Sequence, residues 1–248
     1  MSGAEGPGSA TPSGEQDRAI VTLKSHVAQM AELAVGMVAD GTRALLTPDP
    51  ELARSVISRD APLDKFDSDI ETETMRLIAV RQPEGPLLRT LGAVLKIANC
   101  VDRVGRLGYD LARNLSTAPP IVDRSHEDLL RQMDERSRAM VQQAIHAFVT
   151  NNADEAKAVF AMDDDVDALH QEVQARLIEL LSHGGVSTDR LAHELLATRH
   201  LERVGDNACK IAEKAVYAIT GERRPEYFPQ MAHRSTTGRS PPGPFMSG

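Results

Sequence analysis

His200-Leu-Glu-Arg-Val-Gly-Asp-Asn-Ala-Cys-Lys-Ile-Ala-Glu213 lies in a segment whose apolar residues fall at 197, 201, 204, 208, 211, 215 and 218. Steps of three and four trace one stripe along an α-helix, so the segment is expected to bury one face in a core. Glu202 and Asp206 stand about a quarter turn off that stripe and, four residues apart, share a face. A weaker copy, Val101-Asp-Arg-Val-Gly-Arg106, precedes it by 100 positions (Gly105 against Gly205). A second stretch also recurs: Val56, Asp60 and Asp64 match Val159, Asp163 and Asp167 at a shift of 103. Motifs that return at a long, near-constant offset mark a duplicated unit.

Working outward, the chain reads as six helical segments, at 17–46, 50–81, 85–115, 124–150, 153–183 and 187–220. Each break has its own chemistry. Thr47-Pro48-Asp49-Pro50, Pro83 and Pro119-Pro120 stop helices, because proline lacks the N–H and disfavours helix at the residue before it. Gly184-Gly185 supplies a helix terminator, and Ser187-Thr188-Asp189 offers N-cap oxygens to the last segment. No segment has the period-two alternation of a strand. Helices of about 30 residues span ~45 Å, and short connections make neighbours antiparallel. The expected fold is all-α, two similar three-helix bundles from an internal duplication, at 17–118 and 123–221. The tails at 1–16 and 222–248, rich in Gly, Pro and Ser, are expected to be disordered.

Composition agrees. Aromatic residues make up 3% of the 248 and Trp is absent, which favours helices over a β-sandwich or barrel. A net charge of −8 without a basic stripe excludes general nucleic-acid binding. Cys100 and Cys209 have no metal-type spacing and make no disulfide framework, which points to a reducing compartment. Residues 1–16 do not read as a signal peptide. The apolar run from Leu33 to Ala39 is far shorter than the ~18 residues of a membrane span. A soluble, cytoplasmic protein is expected.

The carboxylates carry the chemistry. On the fifth segment the stripe is Val159, Met162, Val166, Leu169 and Val173, and Asp163 and Asp167 sit off it as Glu202 and Asp206 do on the sixth. Asp60 and Asp64 repeat the pattern against Val56, Leu63 and Ile70. Like charges four apart cost a helix ~0.2–0.5 kcal/mol, so paired clusters on neighbouring helices call for a compensating cation. Oxygen donors of this kind suit Fe, Mn, Mg or Zn. The plainer reading is a solvated acidic face neutralised by Arg199 and Arg203. The first half departs from the pattern. Arg106 stands where Asp206 stands in the second half, and Pro62 falls between Asp60 and Asp64. Pro62 is expected to kink or restart its helix, leaving Asp60 as an N-cap in place of a ligand.

These residues resemble the PhoU family of phosphate-signalling proteins. The 200–213 stretch is similar to that family's signature helix. Val56-Ile-Ser-Arg-Asp-Ala-Pro-Leu-Asp64 and Val159-Phe-Ala-Met-Asp-Asp-Asp-Val-Asp167 resemble its other repeated motif. Arg76-Leu-Ile-Ala-Val-Arg-Gln-Pro83 fits the end of its second helix. The resemblance covers about 18–220. It implies two three-helix bundles, a cytoplasmic homodimer and no catalysis. It also implies repression of the phosphate-starvation response through two partners, the ATPase subunit of the phosphate ABC transporter and a sensor histidine kinase. Membrane association would come only through those partners. The implied metal is multinuclear iron or zinc, otherwise Mg or Mn. The implied ligands are Asp163, Asp167, Glu202 and Asp206, then Asp60, Asp64 and Asp102.

A rival reading is a carboxylate-bridged metal enzyme or metal store. Asp167 and His170 have the acidic-x-x-His spacing of di-iron bundles, which need two such motifs, and no second copy is found. His170 reads as a surface residue, and His183 and His193 as solvated residues beside the last connection. His193-Glu194 lacks the second His of a zinc-protease helix. Neither cysteine has the surroundings of a nucleophile, and Cys100 reads as a small buried apolar side chain. No polar residue is expected at core positions, which also favours the regulator. Tyr109 and Asp110 depart from the small and amide residues expected there.

Overall fold

The computed structural model describes residues 12–115, 127–183 and 187–222. The expected tail disorder, the Pro119-Pro120 break and the Gly184-Gly185 stop lie largely or wholly outside these residues. Seven helices occur among the described residues: α1 Pro12–Leu46, α2 Pro50–Ile57, α3 Asp60–Arg81, α4 Gly85–Leu115, α5 Glu127–Thr150, α6 Ala153–His183 and α7 Thr188–Thr220. The all-α, duplicated three-helix plan holds, with α1, α2–α3 and α4 answering to α5, α6 and α7. α1 begins five residues ahead of the expected 17.

The second segment is two helices, not one. Asp49 caps α2, its Oδ1 accepting from the N–H groups of Glu51 and Leu52 at 3.0 and 3.1 Å, and Pro50 occupies the first turn. Pro62 has no N–H to offer Ser58, and its ring would clash with that carbonyl. The helix therefore stops at Ile57 and restarts at Asp60, with Arg59 as N-cap. The expected restart occurs, but the expected N-cap does not: Asp60 is the first residue of α3, and its carboxylate faces Arg106.

The stripes read from sequence are the core. Val159, Val166 and Val173 on α6, Leu201, Val204, Ala208, Ile211 and Ala215 on α7, and Val56, Leu63 and Ile70 on α2–α3 are all fully buried. One continuous cluster runs through both halves, because α4 packs on α7 and α1 on α5. Two glycines let backbones touch. A Cβ at Gly108 would lie 2.5 Å from the Met37 carbonyl carbon, and one at Gly41 would lie 2.6 Å from the Gly108 oxygen. Only hydrogen fits at this α1–α4 crossing.

The expectation of a core without polar residues is overturned. Lys24, Asp134, Arg190, Glu194 and Asn207 are all buried, and each lies in a hydrogen-bonded setting, as burial demands. Lys24 Nζ on α1 donates to Phe148 O at 2.6 Å and to Asn151 Oδ1 at 2.7 Å, tying α1 to the end of α5. Asp134 accepts from Thr42 of α1 at 3.1 Å and from Arg138 at 2.7 Å. Arg190 pairs with Glu194 and donates to Leu45 O at 3.3 Å, joining α7 to α1. These polar ties cross between halves, so a pattern read one helix at a time misses their partners.

Candidate functional site

α6 and α7 position the second-half carboxylates. Their apolar stripes fix the rotation of both helices, which turns Asp163 and Asp167 on α6 toward Asp206 on α7. Gly205 sets the approach: a Cβ there would lie 3.2 Å from Asp163 Oδ1 and 3.5 Å from Val166. Burial, then the charges of Asp167 and Asp206, push the Asp163 carboxyl up from 3.8 to about 6. These three side chains thus form one electrostatic cluster, in which the charged form of Asp163 is disfavoured.

Cys209 belongs to this cluster, which the sequence reading missed. Its thiol donates to Asp163, and burial beside Asp163, Asp206 and Asp167 raises its pKa far above the usual thiol value. The available signal was its place on α7, three residues beyond Asp206. Cys209 is therefore a protonated donor here, not a nucleophile. Cys100 is buried as expected, and burial likewise raises its thiol.

Glu202 and Asp206 open onto a cleft of about 470 Å³, lined also by His170, Gln174, Arg199 and Arg203. His170 is a half-buried wall residue whose Nε2 accepts from Gln174 at 2.6 Å, which corrects its reading as a surface side chain. His193 is half-buried, with Nδ1 2.7 Å from Asp189 O one turn back on α7. The His183 side chain lies outside the description. Arg199 and Arg203 stand in the same cleft, but among the described residues neither is ion-paired to Asp206. Asp165, the other side of this acidic run, pairs with Arg136 at 2.6 Å.

In the first half, Asp60, Asp64 and Asp102 also converge, but on a guanidinium. Arg106 reaches Asp64 at 2.6 Å, Asp102 at 3.0 Å and Asp60 at 3.5 Å. Asp67 joins this cluster, and burial together with Asp102, Glu71 and Asp64 raises its carboxyl. Tyr109 and Asp110 acquire a role as well. Arg113 stacks 5.7 Å over the Tyr109 ring and pairs with Asp110 at 3.5 Å, while Asp110 acts on the buried His200 of α7.

Carboxylates such as Asp163, Asp167 and Asp206 are the oxygen donors that hard or borderline cations take. Among the described residues, no group of three His, Cys, Asp or Glu side chains is placed to hold a metal ion. No helix of the described residues is long and apolar enough to cross a membrane.

With this geometry in hand, comparison with known proteins is direct. The PhoU domain pattern matches residues 27–115 and again 130–215, one match per half. A phosphate-specific transport system accessory protein PhoU homolog of Clostridium acetobutylicum is 28% identical over 205 residues, covering 81% of this chain and 92% of that protein. PhoU homolog 1 of Thermotoga maritima is 29% identical, covering 86% and 92%. The crystal structure of PhoU from Pseudomonas aeruginosa superposes with a TM-score of 0.76 at 27% identity, over 83% of this chain and 99% of that one. The chain belongs to the PhoU family.

Proposed function

We propose that this PhoU-family protein is a non-catalytic regulator of phosphate uptake, acting in the cytoplasm as a homodimer. It restrains the phosphate-starvation response by coupling the ATPase subunit of a phosphate ABC transporter to a sensor histidine kinase. The observation that carries this reading is that both halves match one domain pattern across nearly the full length of transport accessory proteins. The repeats at 17–118 and 123–221 are its two working units.

A regulator must contact its partners differently in two states, since equal affinity shifts nothing. The α6–α7 cluster offers such a difference. Asp163, Asp167 and Asp206, with Glu202 beside Asp206 in the cleft, would hold iron or zinc, otherwise Mg or Mn, which would supply positive charge between two helices. What the chain itself does is position: Gly205 admits α6 close to α7, and the Cys209 thiol orients Asp163. His170 is engaged with Gln174, which gives the carboxylate-bridged enzyme reading no specific support.

The test is alkaline phosphatase activity at high phosphate in cells lacking this gene. Constitutive activity, silenced again by the intact gene, is the expected result. Continued repression in the deletion strain, with no second family member present, overturns the proposal. Complementation with Glu202→Gln/Asp206→Asn then assigns the acidic cleft.

A further inference from the structure

The two halves present the same four positions with one difference in charge. Asp60, Asp64 and Asp102 answer to Asp163, Asp167 and Glu202, but Arg106 stands opposite Asp206. The replacement removes one oxygen donor and inserts a cation among the remaining three. The guanidinium, half-exposed, contacts all three carboxylates. Its Nε donates to Asp102 Oδ2 at 3.0 Å, and one terminal nitrogen donates to Asp64 Oδ1 at 2.6 Å. The other stands 3.5 Å from Asp60 Oδ1. Charge-assisted contacts to planar carboxylates are where arginine is strongest.

We propose that Arg106 is the resident cation of the first half and excludes metal from it. Of the two acidic clusters, only the second exchanges its cation with solution. That contrast rests on the cation reading of the second half given above; the exclusion from the first half does not.

Three features support a fixed cation over a metal competing with it. Arg106 lies on α4 itself, so its local concentration never falls, whereas a dissolved ion must outbid it by mass action. Any ion entering would meet a guanidinium within 3.5 Å of all three carboxylates, a like-charge approach that costs binding energy. Gly105, beside Arg106, lets α3 lie close against α4: a Cβ there would meet Leu63 Cδ2 at 2.4 Å, so the guanidinium sits at a crossing where the two helices are in direct contact. The guanidinium does not satisfy everything. Asp60 Oδ1 and Asp102 Oδ1 are buried and accept no hydrogen bond. These spare oxygens become ligands once the arginine is gone.

The experiment is Mn²⁺ binding to the full chain, freed of metal by chelation, with bound ion counted by electron paramagnetic resonance. Arg106→Gln is expected to bind at least one Mn²⁺ per chain more than wild type, and Asp60→Asn/Asp64→Asn in that background is expected to remove the gain. Equal stoichiometry in wild type and Arg106→Gln overturns the inference. So does wild-type binding that survives Asp163→Asn/Asp206→Asn and disappears in Asp60→Asn/Asp64→Asn. A wild type that binds nothing beside an Arg106→Gln that binds one ion upholds the exclusion and refutes the cation reading of the second half. Should Arg106→Gln not fold without metal, Arg106→Met, which also removes the charge and keeps an unbranched side chain, replaces it with the same readings.

Discussion

Asp163→Asn is expected to stabilise the metal-free protein at neutral pH and to do nothing in acid. The Asp163 carboxyl is raised from 3.8 to about 6 by burial and by Asp167 and Asp206. At ~1.4 kcal/mol per pH unit that rise is worth ~3 kcal/mol, and solvent screening of a partly exposed group brings it to ~1.5 kcal/mol. The sign follows from the folded-state value being raised. The wild type has this stability in full below 3.8 and loses it as pH rises through about 6, because the folded state then gives up a proton it binds more tightly than the unfolded chain. Asparagine is neutral throughout and keeps an oxygen to accept from Cys209. Urea unfolding in chelator should therefore place the variant ~1.5 kcal/mol above wild type at pH 7.5, a midpoint shift of roughly 0.5–1 M, and level with it at pH 4. Excess Mn²⁺ should reverse the order at pH 7.5. A variant less stable than wild type at pH 7.5 in chelator, or one equally stabilised at both pH values, refutes the view of Asp163 as a frustrated carboxylate.

Gly108→Ala sets a methyl against the Met37–Val38 backbone; it should cost at least the ~1–3 kcal/mol of overpacking, read as a lower urea midpoint. Glu194→Ala leaves the Arg190 charge in the α7–α1 interface and should cost ~3–5 kcal/mol, whereas Glu194→Gln should cost less. Both thiols should resist a disulfide reagent at pH 8 in the native protein and react together in urea, since burial raises Cys100 and Cys209 alike. Rapid native labelling of Cys209 would contradict its place beside Asp163.

The helix plan was legible because each local signal agreed with its neighbours. The stripes on α6 and α7, the Asp49-Pro50 start and the Pro62 break each act within one turn, and the structure keeps all of them. What failed to show was chemistry between elements. Lys24 finds Phe148 and Asn151 more than a hundred residues away, and Arg190 reaches Leu45 O. Periodicity cannot say which neighbour fills a polar position on a buried face. Cys209 was invisible for the same reason, because its partner lies on another helix. Arg106 was seen as damage to a motif, and only the convergence of Asp60, Asp64 and Asp102 on it shows a replacement.

That replacement changes how the duplication should be understood. Helix α3 is bound to its half by a guanidinium carried on α4, and α2–α3 packs on both α1 and α4. Its counterpart α6 packs in the same way on α5 and α7, but the charges it shares with α7 repel. The far ends of α6 and α7 also leave Ile178, Leu181, Leu195 and Leu196 exposed. Removing repulsion at Asp163, by a proton or by a cation, therefore acts directly on the contact between α6 and α7. On the proposal above, the half with Asp206 is the one that answers to a bound cation, and the half with Arg106 carries its own.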